Sequence, residues 1–164
     1  MSIILKKGMR MMIFVRKVRE EDLDGLRELL LDNGELTDKE HISIEKLEHE
    51  DKYVCISNDK VCGYGKLIRN EAHCLVRDIY VSKESRREKI GSTVVKAMLN
   101  SAEIHGADIA ILISNCEEFA RYLRFEEASL SELPYFFKPY LNIDSKEKIY
   151  IVSLKDYFSC SCCS

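Results

Sequence analysis

The stretch VSKESRREKIGSTVVKAML, Val81 to Leu99, carries Lys83, Arg86, Arg87, Lys89 and Lys96 in a chain of net charge -3. The apolar residues Ile90, Val94, Met98 and Ala102, with Val95 and Leu99 beside them, recur at helical spacing and predict a helix that ends near His105-Gly106. The cations therefore gather at the start of a helix, where the macrodipole disfavours them and first-turn amides lack internal partners. An anion at this place would collect those amides, with Gly91 allowing close approach and Arg86, Arg87 and Lys89 neutralising its charge. The alternative is a solvated surface run. Neither GxxxxGK[ST] nor GxGxxG occurs, so such an anion is held by another scheme.

Upstream, HCLVRDIYV reads as a strand in which alternation predicts Leu75, Arg77, Ile79 and Val81 on one face. YVCIS and VCGYGKLI flank Asn58-Asp59 and predict an antiparallel hairpin. Ile13 to Val18 predicts a strand, followed by a helix with Leu23, Leu26, Leu29 and Leu30 on one face and Gly34 as its stop. A second short helix is expected in TDKEHISIEKLEHE, where Ile42, Ile44 and Leu47 partly match the period. DIAILIS predicts a strand, CEEFARYLRF a short helix, the segment around Pro134 and Pro139 a loop, and KIYIVSL a last strand. Strand-helix-strand order at 74–114 asks for parallel pairing and the hairpin at 53–68 for antiparallel pairing. The expected fold class is α/β, with a mixed sheet and helices on both faces.

At 164 residues the chain suits one core. No apolar run is long enough to span a membrane and the charged opening MSIILKKGMRMMIF makes a poor signal peptide, so the expectation is cytoplasmic. Met9, Met11 and Met12 suggest that the first residues are an upstream start or a loose extension. The 28 acidic and 25 basic residues are spread evenly, which argues against nucleic acid or membrane partners. Cys55, Cys62, Cys74 and Cys116 read as small buried hydrophobes in a reducing compartment. Cys160, Cys162 and Cys163 lack the paired spacing of a zinc site, His41, His49, His73 and His105 are scattered, and no metal is expected.

The basic segment resembles the acetyl-CoA-binding signature of the GCN5-related N-acetyltransferases (GNAT), Gln or Arg, two residues, Gly, one residue, then Gly or Ala. Arg86, Lys89 and Gly91 fall on its fixed positions. VRKVREEDLDGLRELL is similar to the family's opening strand and helix, and Leu123 to Phe125 stands where members commonly have Leu-Gly-Phe. LVRDIYV and ELPYFFKP most resemble small stand-alone enzymes related to N-acetylglutamate synthase.

The resemblance implies a GNAT-like, mostly antiparallel twisted sheet and a single N-acetyltransferase-like domain over 13–158, between an extension at 1–12 and a disordered tail at 159–164. It implies acetyl-CoA as cofactor, bound by Ile79, Tyr80, Val81, Arg86, Arg87, Glu88, Lys89, Ile90, Gly91, Ser92, Asn115 and Phe119, with an amide near Ile79 or Tyr80 polarising the thioester carbonyl. Arg77 falls where relatives hold a substrate-binding Arg; it would grip a carboxylate or instead pair with an acidic neighbour.

Four departures bear on the chemistry. Lys89 replaces Gly, and binding is expected to survive if the backbone there needs no positive φ. Arg124 replaces Gly at a cost of about 1 kcal/mol if that turn is left-handed. Ala120 stands where many members have a Tyr acid, and Leu75 where related enzymes often have Glu. No base is fixed by spacing: Tyr80, Asp78 and Tyr122 are the candidates, with Cys74 and Tyr135 behind them. The expected function is N-acetyl transfer to a small amine or amino acid, and the resemblance suggests a homodimer paired through the last strands. The alternatives are a non-catalytic acyl-CoA-binding or regulatory module and a protein N-terminal or lysine acetyltransferase.

Overall fold

A computed structural model describes residues 12–35, 48–142 and 146–159. Seven strands hydrogen-bond in the order β1-β2-β3-β4-β5-β7-β6. They are β1 (Ile13–Lys17), β2 (Glu50–Ser57), β3 (Lys60–Asn70), β4 (His73–Val81), β5 (Ile109–Ser114), β6 (Glu126–Ala128) and β7 (Lys148–Ser153). Four α-helices accompany them among the described residues: α1 (Leu23–Asp32), α2 (Ile90–Ile104), α3 (Glu117–Tyr122) and α4 (Leu154–Ser159). β4 and β5 pair in parallel, while β1–β2, β5–β7 and β6–β7 pair antiparallel. The two-residue connections Asn58-Asp59 and Glu71-Ala72 leave β2–β3 and β3–β4 no other option than antiparallel pairing. The sheet is thus mixed and mostly antiparallel, as expected.

The described residues form two compact units, one comprising those up to Lys66 and Ile79–Met98, the other Leu67–Asp78 and those from Leu99 on. In the first unit, Leu26, Leu29 and Leu30 of α1 pack on Val54, Ile56 and Tyr64. The opposite sheet face receives α2: a Cβ on Gly65 would lie 2.6 Å from Met98 Cε and 2.9 Å from both Ile79 Cδ1 and Val94 Cγ1. Glycine here permits that close approach of helix to strand. Helix α1 ends as its sequence requires, with Gly34 at φ 71° and the Glu35 amide donating to the Leu30 carbonyl at 2.9 Å.

In the second unit, Ile68, Leu75, Ile111, Ile113 and Ile149 form a core closed by Leu133 and the fully buried Phe137. The segment expected as a Pro-containing loop supplies both through 3-10 turns at Leu130–Glu132 and Tyr135–Tyr140.

Several expectations need correction. Leu75 to Val81 do not keep one alternation: Asp78 is left-handed at φ 56°, so Leu75 joins the Phe137 core while Ile79 packs against Gly65. β7 is no free edge for pairing copies, because it lies between β5 and β6. β6 and α4 extend the expected order, and Cys116 is exposed. The second short helix falls mostly on 36–47, and the extension and tail on 1–11 and 160–164, all outside the described residues. Among the described residues no helix is long and apolar enough to cross a membrane.

Candidate functional site

The basic run occupies the connection between β4 and α2 in the first unit. Its start is pinned by the Ser82 amide, which donates to the Cys62 carbonyl at 2.9 Å. A 3-10 turn over Lys83–Ser85 follows, then Arg87 at φ 81° and Lys89 at φ 59°. Left-handed residues in such a turn aim successive amides into a shared concavity suited to an anion. The condition set for Lys89 is therefore not met: the backbone does take the conformation that favours Gly, and Lys holds it at a cost of about 1 kcal/mol.

Lys89 also caps the helix. Its carbonyl accepts from the Thr93 amide at 3.0 Å, from Thr93 Oγ1 at 2.9 Å and from Ser92 Oγ at 2.9 Å. The amides of Ile90, Gly91 and Ser92 lie in the first turn, where a helix offers them no carbonyl four residues back. Ile90 is buried, fixing the helix start to the core, whereas Arg86, Arg87 and Lys89 are exposed.

Asn33, at the end of α1, was not foreseen. Its Nδ2 donates to the Leu29 carbonyl at 2.8 Å and toward the Val81 carbonyl at 3.4 Å, and its Oδ1 accepts from Arg86 Nη2 at 2.9 Å. A neutral amide thus orients Arg86 without cancelling its charge. The sequence assigns the helix stop to Gly34 and no role to Asn33. Tyr80 stacks on Tyr64 at 6.2 Å and 7°, and Glu88 of the loop is half-buried.

In the second unit, Arg77 takes the pairing alternative. Its Nε donates to Asp78 Oδ1 and its Nη2 to Glu147 Oε1, each at 3.1 Å. Parallel pairing of β4 with β5 runs from His73↔Ile109 to Val76↔Leu112, so this pair lies just past the paired segment. Asn115 is exposed, Phe119 is half-buried and gives its carbonyl to the Leu123 amide, and Ala120 is fully buried. Tyr122 and Tyr135 are 59% and 85% exposed, and the Lys138 ammonium lies over the Tyr135 ring. Cys74 is buried and its thiol pushed up to about 12 by desolvation, so it serves as packing and not as an acid or base at neutral pH. Arg124 is left-handed at φ 65°, so the condition set for that turn is met, and its Nη2 donates to the Tyr157 carbonyl at 2.6 Å.

Comparison with known proteins agrees with this geometry. The model of the acetyltransferase (GNAT) family matches residues 18–125, and the chain belongs to that family. Among solved structures, a GNAT-family acetyltransferase from Staphylococcus aureus is similar at 20% identity and TM-score 0.69, covering 87% of this chain and 99% of its own. N-acetylglutamate synthase from Neisseria gonorrhoeae, complexed with coenzyme A and N-acetyl-glutamate, aligns at 18% identity and TM-score 0.70 over 87% of this chain and 35% of its own. PaiA N-acetyltransferase from Thermoplasma acidophilum, in complex with coenzyme A, aligns at 16% identity and TM-score 0.62 over 86% and 98%. At these identities the likeness is one of fold. No curated protein matches the chain.

Proposed function

We propose that the protein is an N-acetyltransferase that moves an acetyl group from acetyl-CoA to the amine of a small molecule, amino acids included. The observation that supports this most is the turn between β4 and α2, where two left-handed residues, a capped helix start and three exposed cations converge. Amides of Arg87 to Ser92 would receive a pyrophosphate, and Arg86, oriented by Asn33, would contribute charge. Acetyl-CoA supplies the thioester whose acetyl group an acceptor amine attacks. An amide at Ile79 or Tyr80 would stabilise charge developing on the carbonyl oxygen, and the remaining demand on the protein is mainly placement of a neutral amine.

The amino-acid reading gives Arg77 the acceptor carboxylate. That carboxylate would have to replace Asp78 or Glu147, both of which now hold the guanidinium. A plain amine needs no exchange. Asp78, Tyr80 and Tyr122 stay proposals for proton handling.

A non-catalytic acyl-CoA-binding module is the second reading, favoured by the buried Ala120 and Leu75 at positions where relatives often carry acid-base groups. Incubation with acetyl-CoA and pooled amines, followed by mass detection of acetylated products, separates the two. Product formation that free glutamate suppresses supports an amino-acid acceptor, and suppression by short peptides instead supports a protein acceptor. A cofactor that binds but is never turned over with any pool would overturn the enzyme reading.

A further inference from the structure

The hairpin beneath the basic loop carries a pair of cysteines. Counting from the two-residue turn, whose Asn58 and Asp59 have φ of 50° and 62°, sets Cys55 of β2 opposite Cys62 of β3. Beyond Cys62 the alternation slips. Val61 and Tyr64, three residues apart, both pack with the α1 cluster, although an odd separation in a regular strand reaches opposite faces. A Cβ at Gly63 would lie 3.1 Å from Cys55 Cβ and 2.8 Å from Ile90 Cγ2, on the other face. One extra residue is therefore accommodated at Cys62-Gly63, a bulge facing Cys55.

At this bulge Cys62 Sγ donates to the Cys55 carbonyl at 3.4 Å, which brings its sulfur against the Cys55 residue directly across the hairpin. Interaction with the Cys55 thiol lowers the pKa of Cys62 against the opposing effects of burial and of nearby Glu88. The same contact and burial keep Cys55 protonated. Cys62 also lines an open groove of about 1060 Å³, together with Ile56, Val61 and Ser82, which gives a small oxidant a route to it. Its carbonyl is the acceptor that pins Ser82, the first residue of the basic loop.

We propose that Cys55 and Cys62 form a modification site, which a peroxide converts to an intramolecular disulfide that loosens acetyl-CoA from the adjoining loop; this last effect rests on the cofactor reading above. The Cys62 thiolate attacks one peroxide oxygen, the O–O bond breaks, and the departing hydroxide takes a proton and leaves as water. Cys55 sulfur then attacks the sulfenic sulfur, the S–O bond breaks, and a second water leaves with the Cys55 proton. Two thiols are oxidised and one peroxide is reduced. Drawing the sulfurs to bonding distance shifts the Cys62 backbone, and with it the Ser82 anchor.

Trypsin cuts after Lys52, Lys60 and Lys66, so the two cysteines fall on separate peptides, Tyr53–Lys60 and Val61–Lys66. Full-length protein treated with hydrogen peroxide, then alkylated and digested, should yield these two peptides joined, and a thiol reductant should separate them. Acetyl-CoA titrations run in parallel should show affinity falling about tenfold on oxidation and returning on reduction. Cys62→Ser, with its fold checked by circular dichroism, should lose that response. Oxidation confined to other cysteines, with Tyr53–Lys60 and Val61–Lys66 unlinked, would overturn the disulfide. A linked pair with unchanged affinity would overturn the coupling to the loop. Reduced protein that fails to bind acetyl-CoA at all would instead overturn the cofactor reading, and leave the disulfide to be judged on the peptides.

Discussion

Replacing Arg124 with the Gly that relatives commonly carry is expected to weaken the protein. At φ 65° the Arg backbone is strained. Glycine relieves about 1 to 2 kcal/mol of that strain, but gives back about 0.5 to 1 kcal/mol through its freer unfolded chain. Against this modest gain stands the guanidinium, which donates to the Tyr157 carbonyl at 2.6 Å and lies 5.8 Å from the centre of the Tyr157 ring. A charge-assisted hydrogen bond is worth about 1.5 kcal/mol even at the low end suited to an exposed side chain, and the ring contact about 0.5 kcal/mol. The balance predicts a loss of about 1 kcal/mol for Arg124→Gly, and about 2 kcal/mol for Arg124→Ala, which keeps the strain and loses both contacts. Urea denaturation of the three proteins should rank wild type above Gly above Ala. A Gly variant as stable as wild type, or more so, would show that the left-handed turn and not the Tyr157 contact governs this site.

Other perturbations test the fold near the basic loop and the first strand. The Asp22 carboxylate is buried beside Arg16, and although burial works to raise its pKa, the Arg16 hydrogen bonds and the Arg19 amide hold it below the usual carboxylate range. Its contribution should therefore be complete above the unfolded value of about 4 and vanish as pH falls through the lower folded value. Arg16→Met should cost about 3 kcal/mol at neutral pH and flatten stability below about pH 4; an unchanged acid slope would refute the pairing. Gly65→Ala should cost about 1 to 2 kcal/mol, since the new methyl meets Met98, Ile79 and Val94 inside 3 Å, and thermal melting would read it as a lowered midpoint.

Local chemistry made much of the fold legible. Asn58-Asp59 took the paired positive φ of a two-residue hairpin, Gly34 ended α1, and the stripe from Ile90 to Ala102 became the buried face of α2. The slips were at positions where a strand departs from its period. Asp78 is left-handed without being Gly, and nothing in HCLVRDIYV distinguishes it from a regular residue beyond the mild tolerance of Asp for that conformation. The extra residue at Cys62-Gly63 shows only through what neighbouring elements do on either side.

The site was legible to a similar depth. Cations and Gly91 marked the loop, but the strain at Arg87 and Lys89 is set by the turn's closure between Ser82 and the Lys89 cap, not by residue type. Asn33 reaches Arg86 across 53 positions and Glu147 reaches Arg77 across 70, distances at which a single sequence carries no pairing signal.

On the function proposed, the loop from Ser82 to Ser92 binds the pyrophosphate of acetyl-CoA. Calorimetric titration of reduced protein with acetyl-CoA, beside the Arg86→Ala/Arg87→Ala double variant, tests it directly. Micromolar binding that weakens about 30-fold in the variant is predicted, from two charge-assisted contacts of about 1 kcal/mol each. No heat at millimolar cofactor, or equal affinity in the two proteins, would contradict it.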